Sequence, residues 1–493
     1  MKICVIGAGL GGLTAAALLA SKGHVVDLFE QNEHTGGKMQ EYTVQGFRFD
    51  TGPSLFTMPF LLERVFERCG KKASDYLQWN AVEPICRYRF ADGTVFDNWA
   101  DRQKNREELL RVAPEDVDAW DRFLDYSGQL YRRTSGAFLF NPLSGFSDLS
   151  LGQLPDMLRI DAFKSVASRV DDFFKSSRMR QLFKRFPTYN GSSPYLAPAT
   201  LNVIPYVELR LGGYYVKGGM YRIAEALEKL AKDCGARIHT RIPVDLIVPG
   251  PRNKKQLSGV MINGSLYEYD LIVANSDATP TYLQLLPENT LSSVRRKRIA
   301  SIEPSCSGFV LLLGINRVFE SLQHHNIFFS DNYRQEFASI FEHGELPQDP
   351  TIYVTNTSYS DPEDAPPGCS NLFLLVNAPY TNAAQPWYEW SETYADHLIH
   401  SLEDRGLYGL RESIVVRQTI TPADFERLYG SNRGSIYGTS SNNRSAAFVR
   451  PRNKSPWFKN LYLCGGSTHP GGGIPLVLQS AMNVYNLVER DHR

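Results

Sequence analysis

The chain has 493 residues, 42% of them hydrophobic and 22% charged, so it is too long for one simple core and predicts two or three domains around a sizeable interior. Its 53 basic and 53 acidic residues cancel, which argues against nucleic acid as a partner, because such proteins usually carry a basic excess. The seven cysteines are scattered and form no CxxC motif, so we expect no disulfides, no structural zinc and a reducing cytoplasm.

The first forty residues predict a strand, a glycine-rich turn, a helix and a second strand. A β-branched run at 2–6 is followed by glycines at 7–12, an Ala- and Leu-rich helix at 13–22 and a strand at 25–29. The chain opens directly on the first of these strands, so we expect no signal peptide. This order of elements is typical of dinucleotide-binding units.

The glycines and one acid of this unit have separate expected roles. Gly7 permits the tight turn, Gly9 lets the backbone approach a pyrophosphate, and Gly12 lets helix and strand pack closely. The N-terminus of the helix, which includes Gly11, offers free N–H groups to phosphate. Glu30 ends the second strand, where a carboxylate binds ribose hydroxyls.

A second glycine loop, Gly36-Gly37-Lys38, comes soon after Glu30, and Thr51-Gly52-Pro53-Ser54 follows it. Glycines let the backbone pass close beside a cofactor, and Lys38 can meet phosphate charge. The alternative is a hairpin-like loop with a solvated lysine. The pattern resembles the second fingerprint of FAD enzymes of the amine-oxidase and desaturase superfamily, and an enzyme that binds NAD alone has no need of it.

The rest of the chain alternates between helical and strand-like regions. Residues 101–210 are predicted mostly helical, and 302–418 alternate as strands, with a helix over 387–405. Elements that return to the nucleotide-binding unit are predicted at 220–234 (helix), 237–239, 244–248 and 269–274 (strands), 460–464 (strand) and 474–489 (helix).

The glycine-rich segment at 465–478 closely resembles the signature of bacterial-type phytoene desaturases and related carotenoid desaturases. Further segments similar to that family lie in the same order along the chain, at 49–54, 189–194, 212–220, 304–309 and 324–330. The chain is therefore identified by resemblance as a carotenoid desaturase.

The resemblance implies an α/β fold: a discontinuous Rossmann-like FAD-binding domain, an inserted mixed-sheet substrate domain and a helical, membrane-facing subdomain. The expected boundaries are 1–75, 211–300 and 456–493 for the FAD-binding parts, 76–210 for the helical region and 301–455 for the substrate-domain sheet and helix. The expected FAD-binding residues are Gly7, Gly9, Gly11, Gly12, Glu30, Gly37, Lys38, Gly52, Pro53, Ser54, Val244, Asn275, Asp277, Gly465, Gly472, Ile474 and Pro475. Val244 is expected beside the adenine.

Two positions of the glycine-rich segment 465–478 favour one subgroup of that family. Gly472 stands where phytoene desaturases tend to have alanine, and Leu476 where they have glycine. This variant looks more like the branch that acts on hydroxylated acyclic carotenoids, the 3,4-desaturases. Phytoene or diapophytoene desaturases, isomerases and end-group oxygenases remain alternatives. Polar groups at 189–193 are expected to meet a substrate hydroxyl.

Two residues are candidates for the catalytic base. Asp148 is suggested by the resemblance, although capping of a helix that begins near Leu149 is the favoured explanation. His469 is flanked by proline and glycines, which favours a role in shaping the loop over a role as a base. His324 and His325 lack the i, i+4 spacing of a helical metal pair, so we expect no metal site.

The expected partners are a membrane-dissolved carotenoid, the membrane surface, and quinone or oxygen as electron acceptor. An apolar patch at 138–146 is a candidate for dipping into lipid, with core packing as the alternative. No apolar stretch is long enough to span a bilayer, so we expect a peripheral protein on the cytoplasmic, inner face of the cell membrane. Rival hypotheses are an amine-oxidase-like flavoenzyme and a non-enzymatic prenyl-binding protein of the GDP-dissociation-inhibitor type.

Overall fold

A five-stranded parallel sheet, built from three separate parts of the chain, carries the predicted nucleotide-binding loops. The computed structural model describes residues 1–136, 140–141, 160–382, 385–442 and 450–492. In spatial order the strands are Leu461–Leu463, Leu271–Ala274, Lys2–Ile6, Val25–Phe29 and Arg237–His239. Most are short runs of Val, Ile and Leu with nearly all side chains buried, as expected of a parallel sheet covered on both sides.

Three helices pack together beside this sheet. The first, Leu10–Ala20, is buried at every residue and contacts both Arg222–Asp233 and the last helix, Ile474–Asp491. It begins directly after Gly9, earlier than the predicted start at residue 13. The glycines of its first turn make this start hard to predict from the sequence, because glycine is a poor helix former.

The second large element is a seven-stranded mixed sheet. Its order is Ile414–Ile420, Ser307–Ile315, Ser370–Ala378, Ile352–Asn356, His325–Phe328, Cys86–Arg89 and Val95–Asn98. The pairing is antiparallel except between His325–Phe328 and Cys86–Arg89. Helix Trp387–Asp404 packs its apolar side on the sheet. The segment 76–210, predicted as helical, therefore also supplies two strands to this sheet, and the second of them, Val95–Asn98, forms its edge.

A helical layer lies against the strands that end the mixed sheet. Its helices are Arg102–Val112, Val117–Thr134, Val166–Phe173, Ser177–Lys184 and Val203–Leu211. Their buried faces form one aromatic-rich cluster with Tyr88 and Phe329 of the sheet region. This layer closes one side of the cavity described below.

Smaller elements complete the fold. They are the hairpin Glu41–Val44 with Phe47–Asp50, the strands Leu246–Pro249, Leu257–Ile262 and Ser265–Glu268, the pair Trp79–Ala81 with Tyr214–Val216, and the helices Phe60–Arg68, Ala278–Leu283, Ser293–Ala300, Tyr333–Ala338, Leu410–Ser413 and Pro422–Tyr429. Val244 precedes its strand, which begins at Leu246. Within the described ranges, no helix is both long and apolar enough to cross a membrane.

Candidate functional site

The first glycine turn is packed so closely that side chains would not fit. Gly7 has a φ of +91°, which favours glycine, and a Cβ added at Gly12 would lie 2.0 Å from the Gly7 carbonyl oxygen. A Cβ at Gly9 would lie 2.7 Å from Asn275 Nδ2. The turn thus leaves its backbone open at the start of helix Leu10–Ala20, whose first N–H groups have no partner within the helix.

The second glycine loop lies directly against the first. Gly36 N donates to the Ala8 carbonyl at 2.8 Å, and a Cβ at Gly37 would lie 3.1 Å from the Gly9 Cα. Gly37 has a φ of +61°. The two loops, which the sequence predicts as one cofactor site, are therefore brought together.

Glu30 lies where the sequence predicts a ribose-binding acid. One carboxylate oxygen accepts from Ala8 N at 2.8 Å and the other from Asn32 N at 2.9 Å. Both oxygens keep lone pairs for a further donor. Val244 belongs to the same buried cluster as Phe29, so it lies near the end of the strand that carries Glu30.

The Asn275 carboxamide lies between two glycine segments. A Cβ at Gly11 would lie 2.4 Å from its Oδ1, and one at Gly465 would lie 3.0 Å from the same atom. Gly9 approaches its Nδ2, as described above. Asn275 therefore lies in close contact with both the N-terminal and the C-terminal glycine segments.

Asp277 caps the next helix, Ala278–Leu283. Its carboxylate accepts from Thr279 N at 3.2 Å and Asn432 N at 3.3 Å, and burial raises its pKa. The neighbouring Lys38 ammonium donates to the carbonyls of Ser435, at 2.8 Å, and Ile436, at 3.3 Å. Burial lowers the pKa of Lys38 to about 8. These carbonyls are the partners that the structure gives Lys38, and its phosphate contact stays a prediction.

The C-terminal glycine loop leads into helix Ile474–Asp491 with Pro475 in its first turn, where a missing N–H costs little. A Cβ at Gly472 would lie 2.8 Å from the Tyr437 carbonyl oxygen. An alanine at Gly472 would therefore press on this backbone.

The structure describes one of the two candidate bases. His469 is buried, its Nε2 lies 3.0 Å from the Asn141 carbonyl oxygen, and its backbone N donates to Pro451. These bonds agree with a role in shaping the loop, and its catalytic role stays a prediction. Asp148 lies outside the described residues, as does most of the apolar patch at 138–146. Phe140 of that patch packs against a core cluster.

A cavity of about 430 Å³ opens between the glycine loops, the mixed sheet and the helical layer. Its volume is within the range of ligand pockets. Predicted cofactor residues that line it are Lys38, Gly52, Pro53, Ser54, Gly472, Ile474 and Pro475. Carbon surface dominates the remaining wall, which includes Leu55, Leu201, Ile204, Val310, Phe373 and Leu375. Leu476, one of the two positions used above to distinguish the subgroup, also lines the cavity.

One buried charge pair interrupts this apolar wall. Arg185 Nη2 donates to Glu208 Oε1 at 2.7 Å, and both residues are almost fully buried. Arg185 also donates to the Tyr88 hydroxyl, and the Tyr189 hydroxyl donates to the second oxygen of Glu208. Arg185, Tyr189, Asn190 and Glu208 line the cavity, whereas Ser192 and Ser193 are not among its lining residues.

No pattern along the chain predicts this pair. Arg185 ends a Lys- and Arg-rich stretch that is typical of a solvated helix face, and Glu208 lies in another helix. Two acids just before that stretch are solvated partners of lysines: Asp171 pairs with Lys184, and Asp172 pairs with Lys164.

A chain of hydroxyls leads from the cavity wall to a buried histidine. Ser54 Oγ lies 2.7 Å from the Tyr353 hydroxyl, which lies 2.7 Å from His325 Nδ1. His324 Nδ1 lies 2.7 Å from Ser360 Oγ. Burial lowers the pKa of His324 to about 3 and that of His325 well below its usual range, so both imidazoles are neutral.

Comparison with known proteins agrees with this geometry. Residues 10–484 match the family of flavin containing amine oxidoreductases. The chain is 38% identical to a 4,4'-diapolycopene oxygenase of Methylomonas sp, over 99% of this chain and 98% of that protein. It is 36% identical to a 1-hydroxycarotenoid 3,4-desaturase of Flavobacterium sp. (strain P99-3), over 99% of both. A 4,4'-diaponeurosporene oxygenase of Staphylococcus haemolyticus is 35% identical, over 98% of this chain and 96% of that protein.

Solved structures share the fold at low sequence identity. An oxidoreductase from Methanosarcina mazei has a TM-score of 0.63 at 19% identity, covering 99% of this chain and 100% of that one. A putrescine oxidase triple mutant has a TM-score of 0.65 at 14% identity, covering 99% of each chain. A Rab GDI from Plasmodium falciparum has a TM-score of 0.55 at 10% identity, covering 98% and 97%.

The glycine segments fit the cofactor that this family uses. A Cβ would collide with neighbouring atoms at Gly9 and Gly12 and would crowd the Gly9 backbone at Gly37, while Gly7 has a positive φ. Glu30 keeps acceptor capacity just after the second strand. The cofactor is FAD, and the fold is that of the FAD-dependent amine oxidases. The chain is therefore an FAD-dependent oxidoreductase that belongs to the flavin-containing amine oxidoreductase family, within its carotenoid desaturase group.

Proposed function

We propose that the protein oxidises an acyclic, already conjugated carotenoid near a polar end, by desaturation at the 3,4 position. The observation that carries this proposal is the cavity itself. Its wall joins the predicted flavin-edge residues, an extended apolar surface and one buried polar cluster. A long hydrocarbon with a single oxygenated end matches that combination of surfaces.

The chemistry removes two hydrogens and forms one carbon–carbon double bond. FAD, when bound, supplies the two-electron acceptor that takes a hydride. We propose that Gly7, Gly9, Gly12, Glu30 and Gly37 hold its nucleotide part, and that the loop with Gly472 and Ile474 meets the ring. The second hydrogen leaves as a proton, and a weak base suffices because the positive charge is delocalised along the polyene.

This chain's own groups meet that modest demand. His469 and Asp148 remain the proposed catalytic residues. The apolar wall excludes water from the reacting carbons, which protects a charged species from side reactions. Electrons then leave to quinone or oxygen at the membrane surface, where we place the protein as a peripheral enzyme on the inner face.

Terminal oxygenation is the second candidate, favoured by a specific observation. Relatives named 4,4'-diapolycopene oxygenase and 4,4'-diaponeurosporene oxygenase are 38% and 35% identical over nearly the whole chain. Such a reaction would place the same carotenoid end beside the cofactor, but it requires dioxygen as a second substrate.

Product mass separates these functions. We would give the purified, FAD-loaded protein phytoene, a 1-hydroxylated acyclic carotenoid and the hydrocarbon of equal conjugation, each in detergent micelles. Loss of two hydrogens from the hydroxylated compound supports the 3,4-desaturase, and gain of oxygen supports the oxygenase. Conversion of phytoene with no change in the hydroxylated compound would contradict the proposed subgroup.

A further inference from the structure

Arg185 presents an unused hydrogen-bond donor on the cavity wall. Its Nε donates to the Tyr88 hydroxyl at 3.0 Å and its Nη2 to Glu208 at 2.7 Å. The Tyr189 hydroxyl lies beside the guanidinium but is turned to Glu208, to which it donates. Arg185 Nη1 donates to no residue in the described part of the chain. Its side chain is only 7% exposed and lines the cavity, so a ligand that fills the cavity would cover this donor.

A hydrocarbon cannot satisfy this donor. A buried polar group without a partner is costly, and buried polar groups in native proteins are nearly always hydrogen-bonded. The Asn190 carboxamide, on the same wall, makes no side-chain hydrogen bond with the described residues either. Two unused polar groups on one stretch of an otherwise apolar wall point to an oxygen atom of the ligand.

The charge of the cluster restricts which oxygen it takes. Glu208 already neutralises Arg185, and burial raises the pKa values of Tyr88 and Tyr189, so both phenols stay protonated. The cluster therefore has no net charge. A ligand carboxylate would be buried as an unpaired charge, because Glu208 already neutralises the only cation of the cluster. A hydroxyl, ether or carbonyl oxygen needs only the hydrogen-bond donor.

We propose that Arg185, held by Glu208 and Tyr88, binds a neutral oxygenated end group of the substrate and sets specificity for it. Phe186 supports this position, since the guanidinium lies 4.4 Å from the centre of its ring. The inference rests on the proposed function only in taking the ligand to be an acyclic carotenoid.

The first test compares ligands on the unmodified, FAD-loaded enzyme. Affinity for a 1-hydroxylated acyclic carotenoid and for its parent hydrocarbon of equal conjugation is measured by quenching of tryptophan fluorescence. We expect the hydroxylated compound to bind at least about tenfold more tightly, as one hydrogen bond to a charged donor gives. Equal affinity would overturn the inference.

The second test changes the donor and keeps the charge. Arg185→Lys retains a cation for Glu208 but loses the planar guanidinium with its additional N–H donors. The ratio of kcat/KM between hydroxylated and hydrocarbon substrates should therefore fall about tenfold, mainly through KM. Arg180→Lys, in the helix Ser177–Lys184 that ends just before Arg185, lies outside the cavity lining; it is the matched control and should keep the ratio.

A neutral double variant guards against misfolding. Arg185→Met with Glu208→Gln leaves no uncompensated buried charge, and bound FAD and thermal unfolding report its integrity. It should lose the same preference. An unchanged ratio in a variant that retains FAD would refute the role of Arg185. If the unmodified enzyme converts neither carotenoid yet binds the hydroxylated one preferentially, the proposed function fails and the subsite stands.

Discussion

At the scale of single residues, Asn275 gives the glycine-rich turn its present shape. Its side chain fills the space that side chains at Gly9, Gly11 and Gly465 would otherwise occupy. The glycines of this site thus serve two purposes: some permit a turn, as at Gly7, and others make room for one amide. Only the first purpose is apparent in the sequence motif itself.

We predict that Gly9→Val abolishes FAD binding. The new side chain would place its Cβ 2.7 Å from Asn275 Nδ2 and push branched methyl groups to where the backbone meets the cofactor. The measurement is the flavin absorbance that remains after gel filtration of the purified variant. Gly136→Val is the control, because no atom lies within 4 Å of a Cβ there. Stoichiometric flavin in the Gly9 variant would show that the pyrophosphate lies elsewhere.

Residues of the site could be predicted from the sequence where the motif is local. The two glycine loops and Glu30 follow one another within forty residues, and standard backbone physics gives each a role. The Arg185–Glu208 pair could not be predicted in this way. It depends on how two helices pack around a cavity, and spacing along the chain does not specify that packing.

At the scale of secondary structure, prediction succeeded for long apolar elements and failed for short strands with polar side chains. The helix at 387–405 is confirmed as Trp387–Asp404, and the strands predicted within 302–418 are confirmed by Ser307–Ile315 and Ser370–Ala378. The strand Cys86–Arg89 carries alternating arginines and was not predicted. Its pairing with His325–Phe328 joins residues that are far apart in sequence, which no local pattern reveals.

A buried acid in helix Tyr333–Ala338 makes the stability of this part of the fold depend on pH. Ser330 Oγ and Thr351 Oγ1 donate to Glu336 Oε2 at 2.8 and 2.7 Å, while Oε1 has no partner among the described residues. Burial raises the pKa of Glu336 from 4.5 to about 7. The folded state therefore binds more protons than the unfolded state between these values, and stability is lost as pH rises through 7.

We predict that Glu336→Gln stabilises the protein at alkaline pH. The amide resembles the protonated acid, so the gain in free energy of unfolding should be small at pH 5 and reach about 1–3 kcal/mol at pH 8. Urea unfolding of the FAD-saturated protein, followed by circular dichroism at both pH values, measures it. Glu342→Gln, at an exposed position in the next turn, is the control: its free energy of unfolding should depend on pH as that of the wild type does. A gain independent of pH would mean that Glu336 is not protonated in the fold.

At the scale of the whole molecule, the cavity and an exposed apolar surface share the same two chain segments. Val166 N donates to the Ala197 carbonyl and Ala199 N to the Lys164 carbonyl, which holds these segments side by side. Phe163 is 71% exposed on the first segment and Leu196 is 47% exposed on the second. Residues around them that line the cavity are Ile160, Ala162, Pro198 and Thr200.

This arrangement suits a substrate that is dissolved in lipid. Lys164 beside Phe163 is paired with Asp172, so the surface offers apolar area more than net charge. Insertion of Phe163 and Leu196 into the interface would bring the cavity wall to the acyl chains, and a carotenoid could enter without crossing water. The peripheral attachment proposed above would then depend on burial of these side chains.

We therefore predict that Phe163→Asp with Leu196→Asp weakens vesicle binding at least about tenfold, since burial of each side chain contributes about 1.5–3 kcal/mol. Cosedimentation with phospholipid vesicles gives the partition coefficient. Turnover of a micelle-dispersed carotenoid should fall much less, because the cavity itself is unchanged. Tyr408→Asp is the control, as this aromatic is 74% exposed on a distant loop and should bind vesicles like the wild type. The wild type should be released from membranes by alkaline carbonate. Equal partitioning of the double variant, or release only by full solubilisation of the bilayer, would show that another surface attaches the protein.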